Sequence, residues 1–132
     1  MHHSFIGDRL RAFLHHHTQT TASAQPTPVI FDRTQQALFR GAGWTPVPPI
    51  AARILTALLD HPGSLVSNMV LIRAGWQGEP RGLPDLYKQV HALRVLLEID
   101  PRHPHHLLTR RGVGYLLQDV VELVEDSGAD RK

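Results

Sequence analysis

Apolar positions recur along this chain with two different periods, and each period marks a kind of element. Ile50, Ile54, Leu55, Leu58 and Leu59 fall on one helical face, which predicts a helix from Pro48 to Asp60. Proline suits its first turn, where the missing N–H would have no partner anyway, and His61-Pro62-Gly63 stops it. Ser67 is a good N-cap for a second helix that carries Met69, Val70, Leu71 and Ile72 as far as Trp76. The loop Gln77–Gly82 follows, and Leu86, Val90, Leu93 and Leu97 predict a third helix from residue 83 or 84 to Glu98, broken by Asp100-Pro101. Shorter runs read as strands. Val29–Phe31 and Ala37–Phe39 form a small antiparallel hairpin around the polar stretch 32–36, after which Gly41-Ala42-Gly43 leads to Trp44. Residues 107–116 read as two strands around a turn containing Gly112 and Gly114.

The ends are less regular. Ile6, Leu10, Phe13 and Leu14 give residues 4–17 the stripe of a short amphipathic helix, with Ser4 as its cap. Residues 18–28 are a linker by composition, residues 119–125 read as a short helix or an extension, and residues 126–132 are expected to fray. Three parts follow: a helix and linker over 1–27, a domain over 28–118, and an acidic extension over 119–132. The domain is of the α+β class. A strand pair, three helices and a hairpin, in that order, is the plan of a winged helix-turn-helix, in which the last helix enters the major groove and the hairpin is the wing.

Composition narrows the function. At 132 residues and 42% hydrophobic content the chain can build one domain with a real core. It has no cysteine, which excludes disulfides and thiolate zinc sites. No apolar run approaches the roughly 20 residues of a membrane span. Asp8, Arg9 and Arg11 interrupt the N-terminal apolar stretch, unlike a secretory signal, so the cytosol is the simplest location. The net charge of +2 is uneven: residues 44–118 hold eight basic against five acidic side chains, and residues 119–132 hold two against five. A mildly basic middle permits nucleic-acid binding without demanding it. No catalytic constellation and no phosphate-cradling glycine loop stands out. Two histidine runs, His15-His16-His17 and His103 with His105-His106, invite a metal reading. Consecutive residues cannot all converge on one ion without contorting the backbone, so neither a metal nor a cofactor is expected.

From Val47 to Leu117 the chain resembles the OmpR/PhoB-type winged-helix effector domain of bacterial response regulators. The similarity rests on His61-Pro62-Gly63 with Val66-Ser67, on Leu71-Ile72 with Trp76, on Leu93-Arg94 with Leu97-Glu98 and Asp100-Pro101-Arg102-His103-Pro104, and on Thr109 with Arg111-Gly112-Val113-Gly114-Tyr115. The resemblance implies a sequence-specific, DNA-binding regulator of transcription. Its recognition helix would span 84–98, and its wing, 109–116, would meet the backbone or minor groove. Candidate DNA-binding residues are Asp85, Lys88, Gln89, His91, Ala92 and Arg94 on the helix and Thr109, Arg110, Arg111 and Gly112 on the wing. Arg94 could instead pair with Glu98 one turn on. Trp76 and Tyr115 read as core anchors, while Trp76, Gln77, Glu79 and Arg81 fall where the family has a loop that can touch RNA polymerase. The partners implied are double-stranded DNA, RNA polymerase, and a second copy in a homodimer or tandem multimer, because one such module buries little DNA. The N-terminal helix and Val120–Val124 are the candidate contacts between copies.

Two departures from the family pattern matter. The family normally places a receiver domain first, and only about 28 residues precede the first strand here, which leaves no room for one. The family also usually has arginines where His91, Ala92 and Val95 stand. An outward face of that kind opens an alternative, a winged-helix module that binds RNA polymerase or another regulator through protein contacts.

Overall fold

The computed structural model describes residues 28–124. The predicted helix 4–17 and the end 126–132 lie outside them. Ten elements follow in order: β1 (Val29–Asp32), β2 (Ala37–Arg40), β3 (Trp44–Pro46), α1 (Pro49–Leu59), β4 (Leu65–Ser67), α2 (Asn68–Trp76), α3 (Leu83–Leu97), β5 (Leu107–Arg110), β6 (Gly114–Leu117) and β7 (Val120–Leu123). They build two sheets, one ordered β3-β2-β1-β7 and the other β4-β6-β5, around the three helices. This is the winged helix-turn-helix arrangement expected from the sequence.

All three predicted helices form within a residue or two of their expected ends. Their apolar stripes make the core: Ile54, Leu55 and Leu58 of α1, Leu71 of α2, and Leu86, Leu93 and Leu97 of α3 are fully buried. Burying each such side chain is worth about 1.5–3 kcal/mol, which is what holds these short helices in place. Ser67 caps α2 as predicted, its hydroxyl accepting the Val70 N–H at 3.2 Å.

The first hairpin turns where the polar stretch lies. The buried Asp32 carboxylate accepts the backbone N–H groups of Thr34 (3.0 Å) and Gln35 (3.2 Å), and Gln36 takes the left-handed conformation. β1 alternates strictly: Val29 and Phe31 face the helices, and Ile30 faces away.

Three strands go beyond the sequence reading. β3 extends the first hairpin to a third strand, and β4 pairs with β6 beside the wing. β7 replaces the expected short helix or extension: residues 120–123 run parallel to β1, Val29 opposite Val120. The folded unit therefore continues past residue 118. The reason is non-local, since the β-branched pair Val120-Val121 gains a strand partner only once β1 is in place. Arg33 fastens this join, its guanidinium donating to Glu122 of β7 and, at 3.1 Å, to Asp60 at the end of α1.

Candidate nucleic-acid interface

Helix α3 starts without a side-chain cap at Gly82, and Pro84 and Asp85 occupy its first turn. Asp85 complements the positive end of the helix but opposes a phosphate there. One face packs on the core through Leu86, Val90, Leu93 and Leu97. The other presents Tyr87, Lys88, His91 and Val95 to solvent, with Asp85, Gln89 and Ala92 half-buried at its margins.

The wing is a tight turn. The Val113 N–H donates to the Arg110 carbonyl at 3.0 Å, and Gly112 sits at φ +76°, the left-handed region glycine adopts without strain. Gly114 is needed for a different reason: a Cβ built on it would stand 1.9 Å from the Val66 carbonyl oxygen. Its missing side chain lets β6 lie against β4, and the Asn68 N–H of α2 reaches the Val113 carbonyl at 3.0 Å. Arg110, Arg111 and Val113 are exposed on this turn. Among the described residues, no carboxylate forms an ion pair with Lys88, Arg110 or Arg111.

Arg94 joins helix to wing. Its Nε and Nη2 donate to the Leu107 carbonyl at 3.0 and 2.9 Å, Nη2 also reaches the Thr109 hydroxyl at 2.6 Å, and the guanidinium lies 5.8 Å from the centre of the Tyr115 ring. The Arg94–Glu98 pair weighed from the sequence does not form. The Glu98 carboxylate instead accepts the backbone N–H groups of His105, His106 and Leu107. The helix turn that would allow the pair loses to these charge-assisted bonds to a buried carboxylate. Arg94 and Thr109 are thus engaged within the protein and hold α3 and the wing as one surface.

Tyr115 is a core anchor, and burial pushes its phenol up, with Arg94 partly opposing the shift. Trp76, set both among the anchors and in the partner loop, is 9% exposed and packs in the core, which removes it from that loop surface. Gln77, Glu79 and Arg81 are exposed, with Arg81 paired to Glu79 at 3.3 Å.

The fold therefore leaves Lys88 and His91 exposed on α3 and Arg110, Arg111 and Gly112 exposed on the wing, keeps Asp85, Gln89 and Ala92 half-buried at the helix margins, and turns Arg94 and Thr109 to support. It adds Tyr87, 51% exposed one turn before His91. An aromatic on the outward side of a polar helix face was the available signal for it. Cations on a helix and on a wing tied to it through Arg94, unpaired among the described residues, suit contact with nucleic-acid phosphates.

The family described as "Transcriptional regulatory protein, C terminal" matches residues 45–117. The chain is 30% identical over 120 residues to the KDP operon transcriptional regulatory protein KdpE of Escherichia coli (strain K12), covering 81% of this chain and 49% of that protein. It thus spans about half the length of that relative, and the same holds for the transcriptional regulatory protein AfsQ1 of Streptomyces coelicolor (strain ATCC BAA-471 / A3(2) / M145), at 31% identity over 111 residues, 83% of this chain and 49% of that protein. Among solved structures, the C-terminal domain of the nisin resistance regulator NsrR is similar at 31% identity and TM-score 0.51, over 64% of this chain and 87% of that one. The DNA-binding domain of the response regulator AdeR, solved in complex with an intercistronic region, shares the fold at TM-score 0.58 and 18% identity, over 72% of this chain and 98% of that one.

Proposed function

This chain belongs to the family of C-terminal domains of transcriptional regulatory proteins, and on that premise we propose that it is a sequence-specific DNA-binding regulator of transcription acting in the cytosol. The family is not a class of enzymes. Among the described residues, no helix is long and apolar enough to cross a membrane.

In this reading α3 lies in the major groove and the wing tip rests on the neighbouring backbone or minor groove. Lys88 and Gln89 reach base edges, Lys toward guanine and Gln toward adenine. Tyr87 and His91 flank them. Arg110 and Arg111 hold phosphates, Arg94 positions the wing without touching DNA, and the exposed loop residues Gln77, Glu79 and Arg81 meet RNA polymerase. Two copies, as a dimer or in tandem, supply the area that one module lacks. The observation that carries the reading is the set of exposed cations Lys88, Arg110 and Arg111, unpaired among the described residues, on a helix and wing locked together by Arg94. The protein-binding alternative loses ground because Ala92, one of the two apolar positions behind it, is half-buried.

Salt titration of DNA affinity is the test. Each phosphate contact contributes about 0.9 to the slope of log affinity against log salt, so Arg110→Ala and Arg111→Ala should each lower the slope by about that much. Lys88→Ala should instead relax the preference between specific and random DNA, by about 1–3 kcal/mol. Unchanged slopes in both arginine variants would remove the wing from the interface.

A further inference from the structure

The outward face of α3 is poor in charge and rich in large apolar side chains. Leu83, Tyr87, His91 and Val95 stand about one helical turn apart along it, and all four are exposed. Leu83 is 41% exposed and Tyr87 51%, so neither is spent on the core that Leu86, Val90, Leu93 and Leu97 build from the other face. Of the two permanent cations of α3, Arg94 is held by Leu107 and Thr109, which leaves Lys88. Phosphate oxygens call for hydrogen-bond donors. A leucine and a tyrosine ring beside a single lysine match them poorly and suit an apolar partner instead.

In a helix-turn-helix the N-terminal residues of the recognition helix meet base edges. Leu83 and Tyr87 occupy the first two turns of α3, whereas Val95 lies in the last. In the major groove guanine, adenine and cytosine present hydrogen-bonding groups, and thymine alone adds a methyl group, at C5. That methyl is the feature of the groove floor that rewards burial against an apolar side chain. Spacing agrees. Residues four apart rise about 6 Å along a helix, and successive base pairs rise about 3.4 Å, so the two side chains fall about two base pairs apart. We propose, on the DNA-binding reading above, that Leu83 and Tyr87 read the C5 methyl groups of thymine. The protein would then select sites with two thymines about two base pairs apart under the first turns of α3, by apolar contact where Lys88 and Gln89 use hydrogen bonds.

Duplexes selected by the full chain from a random-sequence pool supply the probe. Each thymine of a selected duplex is then replaced singly by uracil, which keeps every hydrogen bond and removes only the methyl group. At two positions about two base pairs apart the exchange should weaken binding about fourfold, the transfer value of one buried group of that size. Leu83→Ala should abolish the difference at one position and Tyr87→Ala at the other, while Tyr87→Phe, which keeps the ring, should retain it. Both side chains are exposed, so neither alanine opens a cavity in the core. Arg111→Ala should weaken thymine and uracil duplexes alike. If fewer than two thymines respond to uracil, or if both effects survive in either alanine variant, the proposal is overturned and the apolar stripe is left to a protein partner, while DNA binding itself stands. If no duplex is selected at all, the DNA-binding reading falls and the thymine contact with it.

Discussion

Gly114→Ala should be among the most damaging single substitutions in this protein, costing about 3 kcal/mol or more, the upper end of overpacking effects. The added methyl meets backbone, not a side chain that can rotate away: Val66 O at 1.9 Å, with Val66 C and Ser67 Cα each at 2.8 Å. Relief requires β6 to separate from β4, and Ser67 is both the last residue of β4 and the cap of α2. The damage should therefore spread from the wing into the helix-turn-helix. Gly112→Ala is the control, because nothing lies within 4 Å of a Cβ there and only the positive φ opposes it. That change should cost about 1–2 kcal/mol. Thermal unfolding distinguishes them: Gly114→Ala should lower Tm by at least about 10 °C. A fall of only a few degrees, equal to that of Gly112→Ala, would mean that β4 and β6 are not in the contact described.

Glu98→Ala should cost about 3 kcal/mol or more, because three backbone N–H donors lose their acceptor at about 1 kcal/mol or more each. Glu98 is 2% exposed. Its Oε1 accepts from the His105 N–H at 2.7 Å and the His106 N–H at 3.1 Å, while Oε2 accepts from His106 at 2.9 Å and Leu107 at 2.8 Å. Its carbonyl in turn accepts from the Arg40 guanidinium, which ties this end of α3 to β2. Removing the carboxylate leaves three backbone donors without their acceptor at the start of β5, and each orphaned donor costs about 1–3 kcal/mol. Glu98→Gln keeps one acceptor oxygen but turns an NH2 group toward a donor, so it should recover only part of the loss. Urea unfolding measures both. Rapid hydrogen exchange at residues 105–107 should accompany them. If Glu98→Ala cost no more than Glu79→Ala, an exposed position where about 0.5 kcal/mol is usual, the carboxylate would not be holding the loop.

Glu98 also shows where sequence reading stops. The helices were legible because each carries its own apolar period, and α1 and α3 need no distant residue to be recognised. The spacing of Arg94 and Glu98 suggests an ion pair equally well, yet both side chains reach forward to the loop and β5 instead. Nothing local announces that. Thr109 is a similar case: a hydroxyl at the edge of a wing reads as a phosphate ligand until Arg94 is seen 2.6 Å away. β4 escaped because it is three residues long and ends on a serine already explained as a cap. β7 escaped because its four residues are all half-buried and show no alternation to separate strand from helix. What the sequence shows of the candidate interface is its exposed cations. Lys88, Arg110 and Arg111 are candidates for being cationic, and the fold leaves them exposed and without an ion pair among the described residues.

In the proposed reading α3 and the wing form one DNA-binding surface. The most direct measurement is amide chemical-shift mapping of the full chain titrated with a specific DNA duplex at low and at physiological salt. The largest changes should fall at residues 84–95 and 109–113, with Gln77–Gly82 and the four-stranded sheet nearly still. Changes centred on the 77–82 loop or on the sheet, with Lys88 and Arg111 unmoved, would contradict it.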